Sequence, residues 1–373
     1  MNPEKKKIIY VSVRSDFGGG TYHIDLLIKN LKDEFDIYIA APLNEPYGVE
    51  WQKLIGKEKF LVIPFRSFKI NYLFKLINFI KKNNIGIIHA HGKGGSIYGR
   101  LSKIFLPGIK VLYTPHGFHV LHYNKVIKKL YIFIERFLSR FTDLIINVSG
   151  GEQKEFLDNK IIKKTNSVVV YNAINIEKIN TDKKILREKL NLPQGKFIVV
   201  LVVRFNYQKN LKATINIAEI LSANDDILFL IIGEGEERKD IEDLIIQKNL
   251  SNVLLAGYKN NVNEYLSACD IYLSTSLWEG LPYSLIEAAA NGLPIVASDV
   301  TGNNEIVEQG VNGYLFNLNN LNDAADFILK LKNSDTERRT LRDNSIRIFK
   351  EKFQLEEMIK KTRMIYNNLF TEK

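Results

Sequence analysis

The sequence has almost no cysteine and no long apolar run. Cys269 is the single cysteine among 373 residues, which excludes an internal disulfide framework and fits a reducing compartment. We expect Cys269 to be a small buried residue beside a strand at 271–274. No apolar run reaches the roughly 18–20 residues that span a bilayer. The basic start leads straight into a strand pattern rather than into a signal peptide, so we expect a cytoplasmic protein.

Motifs of several common enzyme classes are also missing. No Gly-x-x-x-x-Gly-Lys-Ser/Thr loop is present, which disfavours a P-loop kinase or ATPase. No Gly-x-Ser-x-Gly elbow is present, and Cys269 has no histidine in its own half, which disfavours nucleophilic hydrolysis. The Gly-x-Gly-x-x-Gly fingerprint of dinucleotide oxidoreductases is absent. So is an Asp-x-Asp pair, which would be the simplest carrier of a divalent ion on a diphosphate.

Acidic residues are scarce in one stretch of the chain. Residues 1–172 hold 27 Lys and Arg against 14 Asp and Glu, whereas residues 173–373 hold 25 against 28. Between Lys59 and Arg140, fifteen basic residues with interleaved aromatic residues accompany one acid, Glu135. This pattern favours a surface that rests on anionic lipid headgroups. Nucleic acid is not expected as a partner because no nucleic-acid module is recognisable, and a merely solvated basic face is the alternative.

Strand-length apolar runs alternate with helical patterns in both halves of the chain. Strands are predicted at 8–13, 37–41, 61–64, 85–89, 111–114, 144–148, 168–171, 197–203, 227–232, 253–256, 271–274 and 295–298. Helices are predicted at 21–32, 71–83, 95–105, 124–141, 150–157, 210–222, 236–248, 262–268, 283–291 and 321–333, with two more in 336–370. This alternation predicts α/β architecture with parallel sheets covered on both faces.

The pattern restarts in the middle of the chain. A polar, Lys-rich segment separates the strand at 168–171 from the strand at 197–203. We therefore predict a domain of residues 1–172 and a second domain of residues 173–352, both doubly wound and Rossmann-like. Their strand carboxyl ends are expected to face a central cleft. Residues 353–373 are predicted to form a helix that packs back toward the N-terminal domain.

Two glutamates eight positions apart form the most informative motif. Glu279 precedes a Gly-Leu-Pro break, and Glu287 lies about one turn into the helix predicted to begin at Tyr283. Both carboxylates can therefore face one pocket at the N-terminus of that helix. The unpaired N–H groups and partial positive charge of a helix N-terminus suit a phosphate. A phosphate seat beside two carboxylates that accept from hydroxyls fits a nucleotide-sugar.

Two further segments follow predicted strands. Arg204 and Lys209 come just after the strand at 197–203, where two cations at a helix N-terminus suit a diphosphate. The triplet Gly18 to Gly20 lies between the first strand and the first helix, where backbone N–H groups can approach a phosphate. A tight structural turn explains the triplet equally well.

All six histidines lie in the first half of the chain. His89 and His91 close one strand and share a face because strand side chains alternate. His116 follows the next strand, and His119 lies three residues later. A zinc site from the first three is disfavoured because no carboxylate or cysteine supports it. No metal and no cofactor are expected.

Taken together, these motifs resemble family-4 retaining glycosyltransferases of the GT-B fold, in particular the bacterial enzymes of O-antigen, capsule and lipid-linked oligosaccharide assembly. The resemblance spans nearly the whole chain. It rests on the segments 114–117, 203–204, 209–210, 232–235, 279–298, 302–307 and 310–313. Where many relatives have Pro-Ser before the first glutamate, this chain has Ser274-Thr275-Ser276.

The resemblance implies a role for each matching residue. Arg204 and Lys209 would hold the donor diphosphate and stabilise the leaving group, and Glu287 would accept the ribose hydroxyls. Glu279 would hold the donor sugar, and His116 would contact that sugar near the reacting carbon. Further donor contacts would come from Gly18, Gly19, Gly280, Leu281, Pro282, Tyr283 and Ser284, and acceptor-side residues would be His89, His91, His116 and His119.

The resemblance also implies substrates and a location. A hexose or N-acetylhexosamine would pass from a nucleotide-sugar, with UDP expected, to a polyprenyl-diphosphate-linked saccharide. Residues 59–140 would dock on the anionic inner face of the plasma membrane. The main alternative is a nucleotide-sugar 2-epimerase of the same fold, which would need no acceptor. A non-catalytic lectin-like protein is disfavoured by the intact Arg204, Lys209, Glu279 and Glu287.

Overall fold

The computed structural model describes residues 5–118, 124–177 and 179–371. The chain divides into two compact units. The first comprises Met1–Asn172 together with Leu355–Lys373, and the second comprises Ala173–Gln354. The last helix of the chain therefore belongs to the same unit as the first strand.

The first unit contains a seven-stranded parallel sheet with the order β3-β2-β1-β4-β5-β6-β7. Its strands are β1 (Lys7–Val11), β2 (Asp36–Ala41), β3 (Phe60–Val62), β4 (Ile87–His91), β5 (Lys110–Thr114), β6 (Leu144–Asn147) and β7 (Ser167–Val169). Its helices are α1 (Gly19–Leu31), α2 (Tyr47–Ile55), α3 (Ile70–Asn83), α4 (Gly92–Phe105), α5 (Lys125–Ser139) and α6 (Gly150–Asp158). The central strands are almost wholly buried, as expected for a parallel sheet with helices on both faces.

The second unit contains a six-stranded parallel sheet with the order β10-β9-β8-β11-β12-β13. Its strands are β8 (Phe197–Val202), β9 (Ile227–Ile232), β10 (Val253–Gly257), β11 (Ile271–Ser274), β12 (Ile295–Ser298) and β13 (Gly313–Phe316). Its helices are α7 (Lys183–Lys189), α8 (Leu211–Ile220), α9 (Arg238–Gln247), α10 (Val262–Ala268), α11 (Tyr283–Ala290), α12 (Asn303–Ile306), α13 (Leu321–Asn333) and α14 (Asp335–Lys352). The last helix, α15 (Leu355–Thr371), belongs to the first unit.

The predicted strand–helix alternation is confirmed, with corrections at particular elements. Helices α2, α7 and α12 and strand β13 were not predicted, because their segments are short and carry no clear period. The prediction placed β4 two residues too early and began α4 at residue 95 rather than at Gly92. The missed first turn of α4 contains Gly92 and Gly94, whose helix propensity is low. A Cβ at Gly94 would lie 2.3 Å from the Val13 side chain, so close packing on the segment after β1 requires a glycine there.

Cys269 is buried, as predicted. Among the helices that the structure describes, none combines the length and the apolar character needed to cross a bilayer.

Candidate functional site

In the second unit, the loops after β8 and β11 are joined by hydrogen bonds. The Leu277 N–H donates to the Gln208 carbonyl at 2.8 Å, and the Gln208 side-chain amide donates to the Trp278 carbonyl at 2.8 Å. The Thr275 hydroxyl donates to the Lys209 carbonyl at 3.0 Å. Because both strands are parallel and adjacent, their carboxyl ends lie at one edge of the sheet. The two loops are therefore held as one layer above that edge.

Glu279 is the centre of this layer. Its carboxylate accepts from the Lys209 ammonium at 2.5 Å and from the Gln208 amide at 3.3 Å. The Glu279 side chain is 7% exposed and that of Lys209 is 18% exposed. A charge-assisted bond in such a partly dehydrated place is stronger than one on the surface. The structure therefore places Lys209 and Glu279 in contact, although the family resemblance assigns Lys209 to the diphosphate and Glu279 to the donor sugar.

Glu287 lies in the second turn of α11. No described side chain hydrogen-bonds or ion-pairs with its carboxylate, and burial raises the pKa of Glu287 to about 7. Helix α11 begins after Pro282 without a side-chain cap and without an acidic residue in its first turn. The partial positive charge of such a helix start favours an anion. Glu279 precedes this helix in the chain and Glu287 is part of it, as predicted.

The first turn of α11 is tied to the end of β8. Ser284 lies beside the buried Tyr272 hydroxyl. That hydroxyl donates to the Val202 carbonyl at 3.1 Å and accepts from the Val202 N–H at 3.2 Å. Gly280, Leu281, Pro282 and Tyr283 are buried, and Ser284 is half-buried. The backbone of residues 280–284, which is predicted to contact the donor, is thus held in place by packing.

Arg204 takes a different partner from Lys209. Its guanidinium lies 3.4 Å from the Glu236 carboxylate, and its side chain is 35% exposed. Lys209 closes a short 3-10 turn, Tyr207–Lys209, rather than beginning an α-helix as predicted. Asn210 follows in the left-handed conformation and precedes α8, so the backbone reverses between the cation and the helix.

In the first unit, a buried histidine cluster joins β4, β5 and α15. His89 hydrogen-bonds the Tyr366 hydroxyl at 2.7 Å and the Thr114 hydroxyl at 2.8 Å. His91 Nδ1 lies 3.0 Å from His116 Nε2. The His89 and His91 ring centroids are 4.1 Å apart. The predicted shared face of the two strand histidines is confirmed.

His116 is held by its backbone and by a close neighbour. It has a positive φ of 61°, and the following N–H, that of Gly117, donates to the Glu152 carboxylate. The other oxygen of Glu152 accepts from the Val148 N–H at 2.8 Å. A Cβ at Gly20 would lie 3.1 Å from the His116 ring. Gly20 therefore allows α1 to approach the imidazole.

The rest of the glycine triplet caps α1. Gly18 is the residue before the helix and Gly19 its first residue, and both are exposed. The Thr21 hydroxyl donates to the Gly18 carbonyl at 2.8 Å. His119 lies outside the described residues.

Burial keeps the deeper histidines neutral. It lowers the pKa of His23 to about 4 and lowers the pKa of His89 and of His91 well below the usual value. The ring nitrogens of His91 and His116 that face one another bond directly, and both nitrogens of His89 are bonded to hydroxyls.

Helix α5 exposes an apolar face in the first unit. Its exposed apolar residues are Val126, Ile127, Leu130, Phe133, Ile134 and Phe137, and exposed cations on the same helix are Lys125, Lys129 and Arg136. The one acid of the helix, Glu135, is buried in a bidentate pair with Arg100, at 2.8 and 3.1 Å. The solvent side of α5 therefore carries apolar and basic residues without an acid.

Three supporting residues were missed by the sequence analysis. Gln208 orients Glu279, Glu152 fixes the turn after His116, and Tyr366 reaches His89 from the end of the chain. The position of Gln208 next to Lys209 was a usable signal. For Glu152 and Tyr366 no local pattern marks the contact.

Comparisons with known proteins assign both halves of the chain to glycosyltransferase families. Residues 17–178 match the family described as Glycosyltransferase Family 4, and residues 182–347 match Glycosyl transferases group 1. An uncharacterized glycosyltransferase of Methanocaldococcus jannaschii is 30% identical over 374 residues, which cover 97% of this chain and 98% of the relative. The UDP-Gal:α-D-GlcNAc-diphosphoundecaprenol α-1,3-galactosyltransferase of Escherichia coli is 28% identical over 271 residues, 69% of each chain.

Among solved structures, Anabaena HepE in complex with UDP and glucose superposes with a TM-score of 0.85 at 18% identity, over 97% of this chain and 100% of that one. At this identity the likeness concerns the fold. Together with the sequence matches it identifies the predicted α/β architecture, with its two Rossmann-like units, as GT-B. The chain therefore belongs to the family-4 glycosyltransferases of the GT-B fold.

Proposed function

We propose that this glycosyltransferase moves a hexose or N-acetylhexosamine, with retention of configuration, from a UDP-sugar to a polyprenyl-diphosphate-linked saccharide. The observation that carries the proposal is the buried Lys209–Glu279 pair beside the uncapped start of α11, which also carries the half-buried Glu287. The acceptor class follows the E. coli relative, whose name contains a diphosphoundecaprenol-linked saccharide and UDP-Gal. Cell-surface polysaccharide assembly, such as that of O-antigen or capsule, is the corresponding pathway class.

The donor is bound by the second unit. The backbone of Tyr283 and Ser284 faces the phosphates in this proposal, because these residues begin α11 and the dipole of a helix start favours negative charge. Arg204 and Lys209 add positive charge that stabilises the departing diphosphate, so the leaving group needs no divalent ion. Glu287 accepts the ribose hydroxyls. Glu279, oriented by Gln208 and Lys209, accepts hydroxyls of the transferred sugar.

The proposed retention would come from attack on one face of the sugar rather than from a covalent intermediate on Glu279. Glu279 is held by two donors, which makes it a poor nucleophile toward the anomeric carbon. The acceptor hydroxyl then attacks from the face that the diphosphate leaves. The bond from the anomeric carbon to the phosphate oxygen breaks, the new glycosidic bond forms, and the hydroxyl proton passes to the departing phosphate. An α-linked UDP-sugar gives an α-linked product by this route.

The first unit supplies the acceptor side and the membrane contact. The family resemblance assigns several histidines to the acceptor side. Of these, the half-buried His116 would meet the substrates near the reacting carbon, while His89 and His91 are buried behind it. The apolar and basic face of α5 docks on anionic lipid at the inner face of the plasma membrane. The lipid-linked acceptor presents its diphosphate at that surface.

The test is an acceptor-dependent assay. UDP- and GDP-sugars are screened for release of nucleotide with and without undecaprenyl-diphosphate-linked saccharide, and the anomeric configuration of the product is read by NMR. We expect release of UDP that depends on acceptor and an α-linked product. Conversion of donor without acceptor would instead indicate the nucleotide-sugar 2-epimerase. Unchanged turnover in Arg204→Ala or Glu279→Ala would refute the assignment of the site.

A further inference from the structure

His91 occupies an unusual place for a polar residue. It ends β4 with 3% exposure. Its ring lies against those of His89 at 4.1 Å, Tyr10 at 5.7 Å and His23 at 5.7 Å between centroids. It also stacks on His116 with an interplanar angle of 19°. The surrounding rings fix the orientation of the imidazole.

The two ring nitrogens of His91 differ in their partners. Nδ1 lies 3.0 Å from His116 Nε2, whereas Nε2 is buried and has no hydrogen-bond partner among the described residues. A buried ring nitrogen without a partner costs stability. An apolar residue would pack at this place without that cost. The hydrogen bond to His116 is thus the feature that an apolar residue could not provide.

We propose that His91 is a positioning residue, whose Nδ1–H donates to His116 Nε2 and so fixes both the orientation and the tautomer of His116. The direction of the bond follows from the unpartnered nitrogen. If His91 carried its proton on Nε2, a buried N–H would have no acceptor, and orphaned N–H groups are rarer than unfilled acceptors. With the proton of His91 on Nδ1, the buried Nε2 has only a lone pair, which accepts no hydrogen bond. His116 then carries its proton on Nδ1 and acts as a hydrogen-bond donor through that nitrogen.

This inference rests on the role proposed for His116, and a direct measurement separates the two. In the full-length protein labelled with 15N-histidine, long-range 15N–1H correlation spectra report which ring nitrogens are protonated. We expect His116 Nε2 to be unprotonated, with its signal assigned by loss in His116→Ala. A proton on His116 Nε2 would overturn the inference. Unchanged turnover in His116→Ala would refute the proposed role of His116. The spectra would still show whether His91 donates the hydrogen bond to His116.

Three substitutions of His91 give the kinetic test. His91→Asn places an amide N–H near the position of Nδ1, whereas His91→Gln places it one atom farther, and His91→Leu has none. We expect His91→Asn to retain kcat within about threefold, and the other two to lower kcat about ten- to a hundredfold, with KM for the donor within about threefold. Wild-type kcat in His91→Leu, or equal defects in His91→Asn and His91→Leu, would overturn the inference.

Tyr98→Phe is the matched control. It removes the hydrogen bond that the Lys69 N–H donates to a buried hydroxyl of the same unit, at 2.7 Å, and Tyr98 is not part of the histidine cluster. We expect a lower Tm with an unchanged kcat. A fall in kcat in Tyr98→Phe, in the same proportion to its loss of Tm as in the His91 variants, would show that His91 acts only through stability.

Discussion

The ammonium of Lys209 lies 2.5 Å from the carboxylate of Glu279, across two loops that follow neighbouring parallel strands. Both side chains are largely buried. Gln208 donates to the second oxygen of the same carboxylate. The position of the cation that is proposed to meet the leaving group therefore depends on the anion that is proposed to hold the sugar.

This pairing predicts non-additive kinetics. Lys209→Ala and Glu279→Ala should each lower kcat/KM about a hundredfold or more, and the double variant should be little worse than the poorer single variant. Each single change leaves the other residue without its partner, so both functions are lost together. The control is the more exposed pair Lys189–Glu264 of the same unit, at 2.6 Å, whose removal should leave kcat/KM unchanged. Multiplicative effects at Lys209 and Glu279 would contradict the prediction.

Glu287 predicts a pH dependence of donor binding. Its pKa of about 7 means that the carboxylate is mostly ionised at pH 8 and mostly protonated at pH 6. An ionised carboxylate accepts hydroxyl donors better, so KM for the donor should rise about tenfold from pH 8 to pH 6. Glu287→Gln should show a higher KM that varies little with pH. Initial rates across this range, with exposed Glu356→Gln as control, measure the effect.

The raised pKa of Glu287 also predicts that the Glu287→Gln substitution changes stability in a pH-dependent way. Burial raises the pKa of Glu287 above its value of 4.5 in the unfolded chain, so the stability due to its protonated form is present below pH 4.5 and is lost as pH rises through 7. Glu287→Gln should therefore be more stable than wild type at pH 8, by about 1–3 kcal/mol, and similar at pH 4.5. Equal Tm values at pH 8 would contradict this prediction.

The close approach of Gly20 to His116 predicts that Gly20→Ala lowers activity without lowering stability. The methyl group of Gly20→Ala would lie 3.1 Å from the His116 ring and displace it slightly. Since Ala favours the helix by up to about 1 kcal/mol relative to Gly, Tm should not fall. We expect kcat to fall about three- to thirtyfold. Gly108→Ala is the control, because nothing lies within 4 Å of its Cβ. Unchanged kcat in Gly20→Ala would show that His116 tolerates the shift.

The buried pair Arg100–Glu135 predicts a large effect on stability. Both side chains are almost wholly buried, so Arg100→Met leaves an unpaired carboxylate and should cost about 3–5 kcal/mol. Urea unfolding in a Trp278→Phe background reports the first unit through buried Trp51. The exposed pair Lys154–Asp158 of the same unit, at 2.5 Å, is the control, and Lys154→Met should leave the urea midpoint nearly unchanged. A small effect of Arg100→Met would contradict the prediction.

The exposed face of α5 predicts binding to anionic lipid. The protein should float with vesicles that contain phosphatidylglycerol at low salt and less with neutral vesicles. Val126→Ser with Phe133→Ser should lower binding about tenfold, because both side chains are at least 70% exposed and would insert into the interface. Ile246→Ser in the second unit, which is as exposed as Val126 at 76%, is the control. Lack of binding by wild type, or an equal loss in Ile246→Ser, would refute the docking surface.

Most strands and long helices were predictable because their residues show strong periods. The near-continuous apolar runs of β8 and β9 and the helical spacing in α3 correspond to faces that are buried. Elements without a clear period, such as α2 and α7, were missed. The first turn of α4 was missed because the sequence does not show that Gly94 packs against Val13.

The candidate site was predictable in part for the same reason. Glu279 and Glu287 lie close in the chain, so local spacing and the helix between them define their arrangement. Glu135 was counted as an ordinary acid in a basic stretch, and its burial against Arg100 could not be read from either segment.

The sequence by itself determined the alternation of strands and helices, the Glu279 to Glu287 motif and the basic, aromatic-rich stretch, since each depends on residues near one another in the chain. Tertiary structure alone decided that Lys209 bonds Glu279, that His91 bonds His116 and that Tyr366 reaches His89. These partners are 70, 25 and 277 positions apart. Their contacts depend on the order of strands in the two sheets and on the return of α15 to the first unit, which local patterns do not encode.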